Sequence, residues 1–191
     1  MIRQITSTPN LLTLLRLIFI PLTVIAILEN HYVWALSIFT VAGLSDGLDG
    51  LLARLLHQKT VLGQYLDPIA DKLLLSTMFF VLAVAHKIPW SVTVLVFARD
   101  IIILIICALL YATGLIRVFR PSWLGKANTL VQIVTVPLVL LKQISHASWV
   151  ALASRTGIWA TVALTIFSGV HYAVRVAYEL HSNSKAANHS N

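Results

Sequence analysis

Residues 46–71 read DGLDGLLARLLHQKTVLGQYLDPIAD, and the rest of the chain falls into place around them. Four carboxylates, Asp46, Asp49, Asp67 and Asp71, lie within 26 positions of otherwise apolar sequence. The first pair is spaced i,i+3 and the second i,i+4, so each pair shares one face of a helix. The stretch Arg54–Leu62 is a short connection, which predicts antiparallel neighbouring helices with all four carboxylates near their joined ends. A carboxylate facing lipid at a helix centre costs roughly 2.5–3.5 kcal/mol, so these groups require a wet or protein-lined cavity.

The flanking sequence explains why lipid enters the argument. The chain has 191 residues, 58% hydrophobic and 11% charged, with a mean hydropathy of +0.86. A soluble domain carries about 25% charged residues, and a disordered chain carries still more charge and less apolar surface. The composition therefore excludes both and predicts an all-α, polytopic membrane protein. The single Cys107 excludes a disulfide framework and a Cys-rich zinc site.

Six apolar stretches predict six transmembrane helices, at about Leu11–Leu28, Val33–Leu55, Leu62–Ala85, Pro89–Thr113, Leu124–Leu141 and Ile158–Tyr178. Gly114, Pro121 and Gly157 mark breaks, and the first ten residues form a short interfacial lead-in without the features of a signal peptide. One membrane domain is expected over residues 1–180, followed by a polar, disordered tail at 181–191.

The net charge is +7, from 14 Lys and Arg against seven Asp and Glu. With six spans, nine of the basic residues gather on the side of the termini, among them Arg54, Lys59, Arg117, Arg120 and Lys126. Lys87, Lys142 and Arg155 fall on the other side, while Lys72 and Arg99 lie inside spans. The nine-residue side is expected to be cytoplasmic. The basic balance suits anionic headgroups, and no aromatic–basic surface pattern points to nucleic acid.

Four clustered carboxylates repel one another unless a cation neutralises them. Oxygen-only ligands favour Mg²⁺, Mn²⁺ or Ca²⁺ over zinc, and two ions sharing carboxylates suit phosphoryl-type chemistry. Gly50 and Ala53 leave room for a ligand against the helix, and Arg54 supplies a cation for phosphates. The plain alternative is a salt-bridge cluster of the Asp residues with Arg54 and Lys72. A second is a cation transporter lined by the four Asp, against which no inverted repeat is visible. Asp100 beside Arg99 fits either polar glue between helices or acceptor binding. His57 reads as a solvated loop residue, and Trp34, Trp90 and Trp149 as interfacial anchors.

The pattern Asp46-x-x-Asp49-Gly50-x-x-Ala53-Arg54, eight residues, then Gly63-x-x-x-Asp67-x-x-x-Asp71 resembles the signature of the CDP-alcohol phosphatidyltransferases at all eight fixed positions. That resemblance implies transfer of a phosphatidyl group from CDP-diacylglycerol to an alcohol with release of CMP, in phospholipid biosynthesis. It implies two Mg²⁺ or Mn²⁺ ions on Asp46, Asp49, Asp67 and Asp71, with Asp71 also the general base. It places Asn10, Gly50, Ala53, Arg54, Thr60 and Gly63 around the CDP moiety. It further implies a homodimer in a bacterial inner membrane, with the termini and active site cytoplasmic. Arg99, Arg117 and Lys126 are the candidates for holding the acceptor.

Two branches of the family compete for the acceptor. Phosphatidylglycerophosphate synthases, which use glycerol 3-phosphate, typically show Ala-Arg-Glu in the fourth span and a further Arg one to two turns later. Here Ala98-Arg99-Asp100 is followed by no Arg through Leu110. CMP-forming cardiolipin synthases carry Arg-Asp at that place and a Lys-x-Asn-Thr segment, like Lys126-Ala127-Asn128-Thr129. The expected acceptor is therefore phosphatidylglycerol, with glycerol 3-phosphate as the alternative.

Overall fold

The computed structural model describes residues 8–55, 61–112 and 123–188, with side chains described mainly in 17–45, 72–109 and 123–177. Within them the chain is entirely helical. Helix α1 spans Thr8–Leu28, α2 Tyr32–Leu55, α3 Val61–Val84, α4 Trp90–Ala112, α5 Trp123–Ile144 and α6 Ser148–Asn188.

Local sequence accounts for the ends. Thr8 followed by Pro9 opens α1, since Pro in the first turn forfeits only an N–H that has no helical partner. Helices α1 and α3 close without glycine. Asn30 (φ 62°) and His86 (φ 57°) take the left-handed conformation. The N–H of His31 bonds to the Ala26 carbonyl at 2.8 Å and that of Lys87 to Leu82 at 2.8 Å. Both are the 6→1 bond that caps a terminating helix. Asn and His tolerate this conformation better than most side chains.

The turns at 29–31, 85–89 and 145–147 meet at one end of the bundle. Lys87 Nζ lies 5.2 Å from the centre of the Tyr32 ring, and Lys87, Pro89, Lys142 and Ala151 line one cavity. The motif lies at the opposite end, on the last turns of α2 and the first turns of α3. Helix α1 packs against both α2 and α3, while α5 packs against α2, α3 and α6, and α4 against α3 and α6. Among the described residues α2 and α3 do not pack directly.

Ile27, Met78, Phe79, Leu82, Val136 and Leu140 are fully buried where α1, α3 and α5 meet. The outer surface is apolar too: Leu104 is 71% exposed and Phe167 65%, a distribution that suits lipid rather than water. Trp34, Trp90 and Trp149 stand exposed in the first turns of α2, α4 and α6, at one end of the bundle, as interfacial anchors would. Two helical segments are long and apolar enough to cross a membrane among the described residues, Trp123–Ile144 and Ser148–Ala177. Shorter apolar runs occupy Leu17–Leu28, Tyr32–Ser45 and Lys72–Val84.

Two features differ from the sequence expectation. Gly157 is no break, because α6 begins at Ser148 and runs through it. A Cβ there would sit 2.9 Å from Thr135 Oγ1 on α5, so the glycine serves close helix approach. The tail expected to be disordered from residue 181 is helical to Asn188. No Pro or Gly occurs after Gly169, so no residue type stops the helix.

Candidate active site

The site is built on the adjoining ends of α2 and α3. Positions 46, 49, 50, 53 and 54 occupy the last three turns of α2, and 63, 67 and 71 the first three of α3. The helical register expected from the spacing is present at every one of these positions. The side chains of Asp46, Asp49, Gly50, Ala53, Arg54, Gly63, Asp67 and Asp71 lie outside the described ones, as does that of Asn10 near the start of α1. Thr60 and Arg117 fall outside the described residues altogether. Among the described side chains no group of three or more His, Cys, Asp or Glu converges.

Just inside the motif lies a cavity of about 320 Å³, walled by Phe39, Ala42 and Leu44 of α2, Leu74 and Leu75 of α3, and Ile133 of α5. Leu44 is two residues from Asp46 and Leu74 three from Asp71, so the cavity opens an apolar space beside the four carboxylate positions. Gly43 has no atom within 4 Å of where a Cβ would be, which leaves that wall open.

Next to Asp71, Lys72 reaches from α3 to Asp100 on α4, with Nζ 2.5 Å from Oδ1. Arg99 donates from Nη1 to the same oxygen at 2.9 Å and from Nη2 to Ser168 Oγ on α6 at 2.5 Å. Asp100 and Arg99 are 11% and 12% exposed, whereas Lys72 is 47% exposed. One carboxylate therefore ties α3, α4 and, through Arg99, α6 together. These are the bonds of the helix-pairing reading of Arg99–Asp100. Both terminal nitrogens of Arg99 are engaged, and its buried Nε has no partner.

Polar side chains continue along the α5–α6 contact. Thr165 Oγ1 donates to Asn128 Oδ1 at 3.1 Å, and the Thr135 and Thr161 hydroxyls are 3.2 Å apart. Asn128 Nδ2 and Gln132 Nε2 are buried and without partners. Hydrogen bonds of this kind between membrane helices average about 0.6 kcal/mol. Lys126, two residues before Asn128, is exposed. Gln132 and Ser168 were not singled out in the sequence; the legible signal was two amides, Asn128 and Gln132, one turn apart in an apolar helix.

The profile of the CDP-alcohol phosphatidyltransferases matches residues 6–167. The chain belongs to that family. It is therefore an enzyme of phospholipid biosynthesis, a CMP-forming transferase that moves a phosphatidyl group from CDP-diacylglycerol to an alcohol. Its relatives fall on both sides of the acceptor question. It is 33% identical over 185 residues to a "Probable phosphatidylglycerophosphate synthase" of Mycobacterium tuberculosis, covering 93% of this chain and 85% of the relative. It is 33% identical over 189 residues to "Cardiolipin synthase (CMP-forming)" of Rattus norvegicus, covering 87% and 61%. A CDP-diacylglycerol–glycerol-3-phosphate 3-phosphatidyltransferase of Salmonella choleraesuis is 34% identical over 173 residues, covering 87% and 92%.

Proposed function

We propose that this phosphatidyltransferase uses phosphatidylglycerol as acceptor and forms cardiolipin. The observation that carries the reading is the engagement of Asp100. Lys72 and Arg99, the two cations at mid-height of α3 and α4, both bind its carboxylate. Glycerol 3-phosphate carries nearly two negative charges and needs free cations, and these two are occupied. Phosphatidylglycerol carries one, and its acyl chains remain in lipid while the headgroup reaches the site.

The donor's pyrophosphate is placed at the Asp46–Asp71 end, with Gly50, Ala53, Arg54, Thr60, Gly63 and Asn10 around the nucleotide. The apolar cavity between α2, α3 and α5 offers room for an adjoining hydrocarbon segment. Asp71 accepts the proton of the acceptor hydroxyl as its oxygen attacks the phosphatidyl phosphorus, and the bond from that phosphorus to CMP breaks. Lys126 and Arg117, the latter outside the described residues, are assigned to the incoming acceptor phosphate. The donor set of Asp46, Asp49, Asp67 and Asp71 is all oxygen, which fits two Mg²⁺ or Mn²⁺ ions. Such ions would supply charge neutralisation for the pyrophosphate and the departing CMP. Six membrane spans, cytoplasmic termini and a homodimer complete the proposal.

A second reading, glycerol 3-phosphate as acceptor, is favoured by the names of the Mycobacterium and Salmonella relatives. One vesicle preparation with CDP-diacylglycerol and both acceptors separates the two. Cardiolipin as the main product is expected. Phosphatidylglycerophosphate as the main product, with phosphatidylglycerol untouched, overturns the acceptor and leaves the family assignment standing.

A further inference from the structure

The three basic residues set apart from the other eleven in the sequence, Lys87, Lys142 and Arg155, line one cavity of about 850 Å³ at the end of the bundle away from the motif. They come from three places: the α3–α4 turn, the last turn of α5 and the second turn of α6. No Asp or Glu lines the cavity among the described residues. The one acid near this end, Glu29, is 3.9 Å from His31. Lys142 and Arg155 are exposed and have no acidic partner among the described residues. Lys87 rests against the Tyr32 ring.

Below the cations the walls are apolar. Val92 and Leu95 of α4 face Ile158 and Val162 of α6. Trp159 and Leu152 stand at the side, 64% and 67% exposed. A positive mouth above an apolar cleft open at its side matches a molecule with an anionic head and hydrocarbon chains. A soluble anion would leave the cleft unfilled, and a neutral lipid would leave three charges unanswered.

We infer that this cleft binds an acidic phospholipid from the leaflet opposite the active site, with its phosphate among Lys87, Lys142 and Arg155 and an acyl chain between α4 and α6. The inference rests on the membrane setting of the bundle and is independent of the acceptor. The site is separate from the catalytic machinery at the other end.

The test is native mass spectrometry of the purified full chain in detergent, titrated with phosphatidylserine, phosphatidylcholine or inorganic phosphate. CDP-diacylglycerol is held constant to occupy the active site. The expected result is one phosphatidylserine bound at least tenfold tighter than phosphatidylcholine. That preference falls at least tenfold in K142Q/R155Q and survives in the charge-preserving K142R/R155K. CMP release in phosphatidylcholine vesicles whose only acidic lipids are the two substrates is expected to stay near the wild-type rate in both variants, which shows that they fold. Equal phosphatidylserine binding by wild type and K142Q/R155Q overturns the site. Inorganic phosphate competing phosphatidylserine away at equal affinity replaces the lipid with a soluble anion and overturns it as well. So does a cross-link between two copies through cysteines placed at positions 152 and 159, since a second copy would then fill the cleft. Loss of CMP release in wild type would instead count against the enzymatic reading.

Discussion

Replacing Gly157 with Ala tests the close approach of α6 to α5. The added Cβ would lie 2.9 Å from Thr135 Oγ1 and 3.5 Å from Thr135 Cβ and Cγ2. Thr135 is 1% exposed, and its hydroxyl donates to the Val131 carbonyl at 2.7 Å while lying 3.2 Å from that of Thr161. Its hydroxyl is held by these contacts in a buried seam, so α5 and α6 must part or a hydrogen bond must break. Overpacking of this kind costs about 1–3 kcal/mol. Alanine recovers up to about 1 kcal/mol through its better helix propensity. The net expectation for Gly157→Ala is a loss of about 0–2 kcal/mol. The sharper measure is the double-mutant cycle with Thr135→Ala, which removes Oγ1 and Cγ2 and leaves an ordinary 3.5 Å contact. In that background Gly157→Ala is expected to be neutral or stabilising, giving a coupling of about 1–3 kcal/mol. Reversible unfolding in mixed micelles of increasing dodecyl sulfate content measures all four variants. The same effect of Gly157→Ala in both backgrounds would refute the contact as the source.

Three further outcomes follow. CMP release is expected to cease in excess EDTA and return with Mg²⁺ or Mn²⁺; full activity in excess chelator rules out metal at the four Asp. Asp71→Asn is expected to abolish turnover while CDP-diacylglycerol still binds in equilibrium titration, whereas Asp46→Asn weakens donor binding too. Near wild-type turnover in Asp71→Asn would move the base elsewhere. Asp100→Asn removes the charge that joins Lys72 and Arg99 and leaves Arg99 buried without its counterion. The expected loss is about 2–4 kcal/mol, below the usual 3–5 for a broken buried pair because Lys72 is half exposed and screened. Unfolding at wild-type denaturant strength would show that the bridge contributes nothing.

What could be read from the sequence was whatever depended on residue type and spacing alone. The apolar runs located the helices, and the eight motif positions fall in the helical register their spacing implies; the breaks expected at Gly114 and Pro121 lie outside the described residues. What escaped depends on which helices meet. Gly157 looks like a break in one dimension and is a contact surface in three. Asn30 and His86 cap helices where glycine would be the obvious choice. Arg99 is a cation whose availability is set by a serine 69 residues away. Lys87, Lys142 and Arg155 served only as a charge tally until three separate segments brought them to one cavity.

The α5–α6 seam also has a kinematic meaning. Thr135 meets Thr161 and Asn128 meets Thr165, while one turn further along α6 Ser168 holds Arg99. Sliding α6 along α5 by one turn, about 5.4 Å, would carry Thr165 off Asn128 and bring Gly169 or Thr161 in its place. It would also separate Ser168 from Arg99, so the polar contacts break together rather than in sequence. A surface with such teeth has one register and no gradual path to the next. The last two helices, with α4 joined to them through Arg99, therefore behave as a fixed frame. Motion that admits a lipid donor or releases CMP then falls to α1, α2 and the motif end of α3, short of the point where Lys72 ties α3 to Asp100.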